Sequence, residues 1–279
     1  MEIAQRFKIL DSLRWNKLER SRYCASLTVP SLLPPDGWTE QNQLPQPFSS
    51  VPARGVTSMA SRMLSALLPL NDMPFFKFEM GSGVDPDVEV NNYLENLSQQ
   101  VYSKLSSGNL RETIYQALQH LIVVGDVLLI MDDDFNFRLI RLDRFVLIRS
   151  VEGEVEELIY IEYETKPETM NNNDQLMSSF DSFEDRKGYK EIYTRVTVKD
   201  KVWTVQRQDK DGNPLGGGGE YSVPPYIVLR WAGISGENYA RSHCEDLIGD
   251  IKSLEGFTEG LINGISAASL FWQGVDPTG

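Results

Sequence analysis

Two acidic loops carry the spacing of a calcium site. Asp209, Asp211 and Asn213, followed by Glu220, occupy the first, third, fifth and twelfth positions of an EF-hand loop, where oxygen ligands at that spacing surround a hard cation. Pro214 stands where that loop needs the glycine of its sharp turn, and the flanks read as strands, so a β-hairpin turn is the expectation. Asp132, Asp134 and Asn136 repeat the pattern up to Asp143 with Phe137 in the glycine position, and they carry the same expectation. Gly216 to Gly219 has the glycine density of a phosphate cradle. Such cradles lead into a helix N-terminus, whereas Glu220-Tyr221-Ser222-Val223-Pro224-Pro225 follows here, so a flexible hairpin tip is expected. There are two histidines and two cysteines. His120 falls in an apolar helical stretch and reads as a core residue with its hydrogen bonds satisfied. His243 and Cys244 are adjacent and therefore sit on different helix faces rather than converging on one metal. No Gly-x-Ser-x-Gly elbow is present and no carboxylate pair is singled out by spacing. The expectation is a protein that is not an enzyme, with no cofactor and no metal.

Composition narrows the class. The chain has 279 residues, 41% of them hydrophobic, which suffices for one large core or two modest ones and excludes disorder. A formal charge of −13, from 27 basic and 40 acidic side chains, argues against a tight nonspecific nucleic-acid clamp and leaves loose DNA contact open. Cys24 and Cys244 lie far apart and suggest no disulfide framework, so a reducing cytosolic compartment is expected. Met1 to Arg6 lack the basic start and apolar block of a secretion signal. The most apolar run, Leu121 to Met131, is short and interrupted by Asp126, so no membrane association is expected.

Helices come first along the chain. Ile3, Phe7, Leu10, Leu13, Lys17 and Leu18 recur at helical steps, and residues 1–22 hold six bases against three acids, a solvated face or a docking face for an acidic neighbour. Six prolines between Pro30 and Pro52 forbid a continuous helix there. A second helix is expected from about Ala53 to Leu68. A third should start at Asp85-Pro86 and bury Val90, Tyr93, Leu94, Leu97, Val101 and Leu105. A fourth should start from a capping box of Asn109 and Glu112 and run to Gly125. The periodicity then changes to that of an antiparallel β-meander: Val127 to Met131, Phe137 to Leu142, Phe145 to Arg149, Val155 to Tyr163, Tyr189 to Val198, Lys201 to Arg207 and Tyr226 to Trp231. Lys166 to Gly188 reads as a mobile surface loop, and residues 151–191 hold twelve acids against four bases, a surface that repels DNA. The class is α+β.

The last segment is unusual. From about Ser242 to Trp272 the pattern is helical, yet Gly256, Gly260 and Gly264 stand four apart, with Gly249 and Ser253 before them and Ala268 after them on nearly the same face. Each mid-helix glycine costs about 0.8–1 kcal/mol against alanine, so something must offset roughly 3 kcal/mol. Asp246, Asp250, Lys252, Glu255 and Glu259 exclude a membrane span, which leaves close packing against another helix. With no comparable partner helix obvious in the chain, the same helix of a neighbouring subunit is the expected partner. A glycine-kinked core helix is the alternative.

Four blocks together carry a family resemblance. They are Arg20-Ser21-Arg22-Tyr23-Cys24-Ala25-Ser26-Leu27-Thr28-Val29-Pro30-Ser31-Leu32-Leu33-Pro34; Pro52-Ala53-Arg54-Gly55-Val56-Thr57-Ser58-Met59-Ala60-Ser61-Arg62-Met63-Leu64 with Ala66-Leu67-Leu68-Pro69; Leu121 to Leu129; and Gly236-Glu237-Asn238-Tyr239-Ala240-Arg241-Ser242, leading through Glu245-Asp246-Leu247-Ile248-Gly249-Asp250 to Ser253-Leu254-Glu255. In order and spacing they resemble the head-to-tail connector, or portal protein, of short-tailed podovirus-type bacteriophages. Ala240 departs from the glycine typical of that place.

The resemblance implies a portal-type wing of helices and β-meander over residues 1–235, helical to 125 and β-rich from 126, with the mobile loop at 166–188. It implies a first long stem helix over 236–270 and the start of a clip over 271–279. Family members continue through a clip, second stem helix, remaining wing and crown, so the chain looks like an N-terminal half. The implied role is a non-enzymatic subunit of a homo-oligomeric ring, commonly of twelve copies, at one capsid vertex of the virion, assembled in the host cytoplasm. It would form the channel for DNA packaging and ejection, contact double-stranded DNA without sequence specificity, and dock terminase, tail adaptor, major capsid and scaffolding proteins. Gly249, Ser253, Gly256, Gly260, Gly264 and Ala268 would then face the next subunit. Lys252 would contact DNA in the channel or pair with Asp250 or Glu255. Two other readings stay open: a metal-dependent or acid–base hydrolase hidden among the carboxylates, and a monomeric adaptor or scaffold protein.

Overall fold

A computed structural model describes residues 2–38, 42–69, 74–81, 87–132, 134–165 and 189–273. The expected surface loop at 166–188, the Asp85-Pro86 helix start and residues 274–279 lie outside them.

The first amphipathic stretch is two helices, α1 (Ile3–Leu13) and α2 (Trp15–Ser26), rather than one. The break falls at Arg14, which is 3% exposed. Its guanidinium donates to the carbonyls of Leu142, Asp143 and Phe145 and to the carboxylate of Asp11, so the chain bends to carry it inward. Ile3, Ala4, Phe7 and Leu10 of α1 pack on Val146, Ile159 and Tyr193 of a sheet. The basic residues of this region dock onto acids of the same chain: Arg6 meets Glu157 at 2.7 Å and Arg20 meets Glu245 at 3.3 Å.

Helix α3 (Val51–Leu67) carries Pro52 in its first turn, where a missing N–H costs nothing. It buries Val56 and Ala60 in the main core beside Leu118 and Ile122 of α5 (Leu110–Val123). Between them, α4 (Val88–Ser106) is capped by Asp87, whose side chain accepts from the Val88 N–H. Its expected apolar stripe is only half-buried. Val90 and Tyr93 are exposed, and Ser98 is the buried residue of the helix, donating to the Leu94 carbonyl while accepting from the Phe78 N–H. The expected capping box at Asn109 does not form. The Asn109 amide instead pairs with both the N–H and the C=O of Phe137 at 2.7 Å, closing part of a free strand edge.

The single meander expected from the alternation is two antiparallel sheets. One holds β1 (Asp126–Met131), β2 (Phe137–Ile140) and β8 (Ile227–Arg230) in the order β2-β1-β8. The other runs in sequence order through β3 (Phe145–Arg149), β4 (Val155–Thr165), β5 (Tyr189–Lys199), β6 (Val202–Asp209) and β7 (Pro214–Tyr221). A 3-10 turn at Leu142–Arg144 joins β2 to β3 and switches sheets. The alternation of the second sheet puts Val146, Ile159 and Tyr193 against α1, while Phe145, Leu147, Leu158 and Val196 face the main core. Gly216 to Gly219 are not a hairpin tip. They form edge strand β7, where the register slips between Val205 and Arg207. A Cβ at Gly218 would stand 2.7 Å from the Val205 carbonyl oxygen, so the glycines serve a bulge that brings two backbones together.

Gly125 turns α5 into β1 with φ +95. A Cβ there would meet Ser242 N at 3.0 Å and Arg241 C at 3.1 Å, both backbone atoms that have little room to yield. Gly125→Ala is therefore expected to destabilise the chain by ~1–3 kcal/mol, from the positive φ and the contact together, read as a lower urea midpoint at unchanged m.

The C-terminal helix starts later than expected. Gly236 takes φ +84, Ala232 and Arg241 form an isolated antiparallel bridge, and a single turn, α6 (His243–Asp246), precedes α7 (Ile248–Gln273). Residues 236–242 are thus a folded-back strap, held by the bridge and by a buried carboxylate, and the long helix begins at 248 rather than 236.

Candidate functional site

The root of α7 is built around charges buried where four segments meet. Asp126, the first residue of β1, is fully buried, and its two carboxylate oxygens accept the Ala240 N–H at 3.1 and 3.0 Å. Burial raises its pKa to about 6, against the opposing pull of Lys17. Lys17 reaches in from α2, donates to the Val124 carbonyl at 2.8 Å, and lies 3.9 Å from Asp126 and 3.6 Å from Glu245. Burial lowers its pKa despite both carboxylates. Glu245 also takes Arg20 at 3.3 Å and Arg241 at 3.2 Å, and Arg241 pairs with Glu237 at 2.9 Å. Ser242 caps α6 through the Glu245 N–H. From α7 itself, Glu255 accepts the Phe48 N–H at 2.6 Å and the Ser49 N–H at 3.0 Å, tying the segment before α3 to the helix. The helix base is therefore fastened to α2, β1, α3 and its own leading strap.

Beyond this root α7 is largely exposed among the described residues. A Cβ built at Gly249, Gly256, Gly260 or Gly264 meets nothing within 4 Å. Ser253 folds its hydroxyl back onto the Gly249 carbonyl at 2.8 Å, and Ala268 is exposed. Ile248 and Ile251 pack on the main core, but farther along Phe257 is 73%, Leu261 54% and Ile265 62% exposed. The glycine stripe and this apolar ridge lie about 100° apart around the helix at 100° per residue. Lys252 is exposed and makes no ion pair among the described residues. Its expected partner Glu255 is occupied by the α3 segment.

The other candidates are structural. Asp209 organises the β6–β7 turn, with Oδ1 accepting the Asp211 and Asn213 N–H groups at 3.1 and 2.8 Å, and Oδ2 taking the Asn213 amide and Lys190. Those hydrogen bonds, the Asn213 amide first, hold its pKa down to about 2. Asp132 does the same for Asp134 and Asn136. Among the described residues no three His, Cys, Asp or Glu side chains gather to hold a metal ion. Calcium is expected to leave the melting temperature unchanged, while Asp209→Asn lowers it. A carboxylate depressed to about 2 from 3.8 stabilises above its unfolded pKa and loses that contribution as pH falls through the folded one, so the variant should also lose part of the acid limb between pH 4 and 2.

His120 is 5% exposed, and burial pushes its pKa down to about 4, as expected of a core histidine, but its Nδ1 has no hydrogen-bond partner among the described residues. Cys24 and Cys244 are free, buried thiols raised by burial to about 11 and about 12, which keeps them protonated and unreactive. His243 lies beside Trp231 with ring centroids 5.6 Å apart. No helix among the described residues is long and apolar enough to cross a membrane. The buried Lys17–Asp126–Glu245 cluster escaped the sequence reading. Its one signal was a lysine at an apolar position of the first helical stripe.

Comparison with known proteins gives one consistent result. The family model described as bacteriophage head to tail connecting protein matches residues 1–271. The chain is 27% identical over 260 residues to the portal protein of Enterobacteria phage T3, covering 87% of this chain and 48% of that protein. It is 27% identical over 284 residues to the portal protein of Escherichia phage T7, covering 93% and 51%. Against the portal protein of Pseudomonas phage phiKMV it is 25% identical over 275 residues, covering 91% and 54%. The chain spans about half the length of these relatives.

Proposed function

The chain belongs to the bacteriophage head-to-tail connecting protein family, and on that premise we propose that it is a structural subunit of a ring-shaped portal at one capsid vertex. In this reading residues 1–235 are wing and α7 is the first stem helix. The ring is the channel through which DNA enters and leaves, and the docking place of terminase, tail adaptor, major capsid and scaffolding proteins. A dodecamer is the size implied by the family resemblance.

The observation that carries the reading is the open glycine stripe of α7. Four glycines on one helix face weaken the isolated chain, and none is needed to make room for its own side chains. A bare face is useful when another helix must approach closely. The apolar ridge, about 100° around the same helix, supplies what would fill it. Two different, complementary faces on one element suit a head-to-tail contact, which closes into a ring when the rotation between copies divides a full turn, whereas a two-fold dimer needs a self-complementary surface. The fastened root would hold every copy of α7 at the same angle to its wing.

The charge fits a conduit. A chain of net −13 repeated around a ring lowers affinity for phosphate, so DNA slides rather than sticks. Lys252, exposed on α7 and without an ion pair among the described residues, would be the residue that touches passing phosphates. Sedimentation and light scattering of the full chain test the reading: a closed oligomer of defined mass is expected, and a strict monomer at every concentration would contradict it.

A further inference from the structure

A group of hydrogen-bond donors at the seam between the two sheets has nothing to bind. Arg149, at the end of β3, spends its Nε on the Asn238 carbonyl at 3.0 Å and its Nη1 on the Gly153 carbonyl at 2.9 Å, while its Nη2 is buried without a partner. Tyr226, just before β8, is 8% exposed and packs on Trp203 with centroids 5.4 Å apart. Its hydroxyl is also buried and unpartnered. Arg230, at the end of β8, pairs with β1 through its backbone, while its side chain makes no hydrogen bond or ion pair among the described residues. Its guanidinium lies against two glycines: a Cβ at Gly233 would stand 3.0 Å from its Cζ, and one at Gly153 3.4 Å from its Nη2. Gly153 is thus bracketed by both arginines.

We propose that Arg149, Arg230 and Tyr226 form a binding site for a small tetrahedral oxyanion of the phosphate class. Two guanidiniums held side by side repel each other, and a shared anion removes the conflict. After burial, Arg230 is the main influence that lowers the Arg149 pKa, and Arg149 in turn is the charge acting most strongly on the Tyr226 hydroxyl. Asp126, toward the core, attracts both arginines through space, but its oxygens accept the Ala240 N–H and it lies 3.9 Å from Lys17. Glu154, in the β3–β4 turn, is the other charge acting on the Tyr226 hydroxyl, more weakly than Arg149 does. The unspent donors are Arg149 Nη2, the three guanidinium nitrogens of Arg230 and the Tyr226 hydroxyl. They outnumber what the two oxygens of a carboxylate accept and suit the four oxygens of a phosphate or sulfate. The half-buried Arg230 forms the solvent-facing side of the group. A bound oxyanion would pin β8, and with it the strap leading to α7, to the five-stranded sheet.

Titration calorimetry of inorganic phosphate into the full chain, against sodium chloride of matched ionic strength, tests this independently of the oligomeric state. Saturable one-to-one binding is expected, weakened ~10-fold or more in Arg230→Gln, since a charge-assisted fork is lost. Without phosphate, Arg230→Gln should melt close to the wild-type temperature, because the repulsion it relieves at Arg149 is offset by the attraction to Asp126 that it loses. Tyr226→Phe, which deletes one hydroxyl, should weaken binding several-fold and gives the answer if the first variant does not fold. Absence of saturable heat, equal affinity in both variants, or equally tight binding of glutamate would overturn the assignment.

Discussion

Replacing Gly256, Gly260 and Gly264 together by alanine is expected to stabilise the isolated chain while weakening its assembly. Among the described residues no atom outside the helix's own backbone lies within 4 Å of a Cβ at any of the three, so the methyl groups meet no neighbour there. Helix preference then gains about 0.8–1 kcal/mol per site, roughly 2–3 kcal/mol in total, read as a higher urea midpoint. The same methyls push a neighbouring helix away. Gly260→Leu makes the effect absolute: the monomer should melt no lower than wild type, and oligomers should vanish from sedimentation profiles. Core glycines would behave the other way, with alanine destabilising the monomer. That result, or full assembly of Gly260→Leu, would mean the stripe serves the chain's own fold.

The second large effect concerns Lys17. Lys17→Met removes the ammonium that lies between buried Asp126 and Glu245, and breaking a buried pair on one side typically costs 3–5 kcal/mol. The cost should depend on pH. Asp126 titrates at about 6 in the folded chain against an ordinary 3.8. Between those values the folded state holds a proton that the unfolded state has released, so stability is greatest at the acid end of this window and falls as pH rises through it. Urea titrations from pH 4 to 8 should show that decline in wild type and its loss in Asp126→Asn. The penalty of Lys17→Met should be larger at pH 7, where Asp126 is charged, than at pH 5. A pH-independent penalty would show that the carboxylate is not the charge Lys17 serves.

Much of the architecture was legible because it rests on local pattern. The switch from helical to alternating periodicity at Gly125 is real, and most expected strands appear within two residues of their bounds, since each has one face on a core. What local pattern cannot carry is which side chains go inside by pairing. Arg14 breaks a helix that its neighbours would have continued, because three carbonyls far along the chain await it. The glycine run of β7 read as a loop because its strand is defined by pairing with β6 rather than by its own side chains. The division into two sheets depends on one 3-10 turn and on β8 returning beside β1 from a hundred residues away.

The four blocks that carried the family resemblance gain a physical explanation. Arg20 of the first meets Glu245 of the fourth, and α3 from the second begins where Glu255 of the fourth holds Phe48 and Ser49. Gly125 and Asp126 of the third pack on Ala240 to Ser242 of the fourth. All four converge on the root of α7. Ala240 in place of the family's usual glycine is accommodated there, because its φ is not positive and its N–H is held by Asp126.

Cross-linking tests the central claim most directly. Ser253 lies in the glycine stripe and Leu261 on the apolar ridge, eight residues and about 12 Å farther along the helix at 1.5 Å per residue. With cysteines at both positions, a bis-maleimide of that reach should join stripe to ridge between copies and yield a ladder of multimers. Native Cys24 and Cys244 stay silent because they are buried and protonated. Either cysteine alone should give no ladder. Dimers from Ser253→Cys alone, or no products from the double variant, would contradict a head-to-tail ring built on α7.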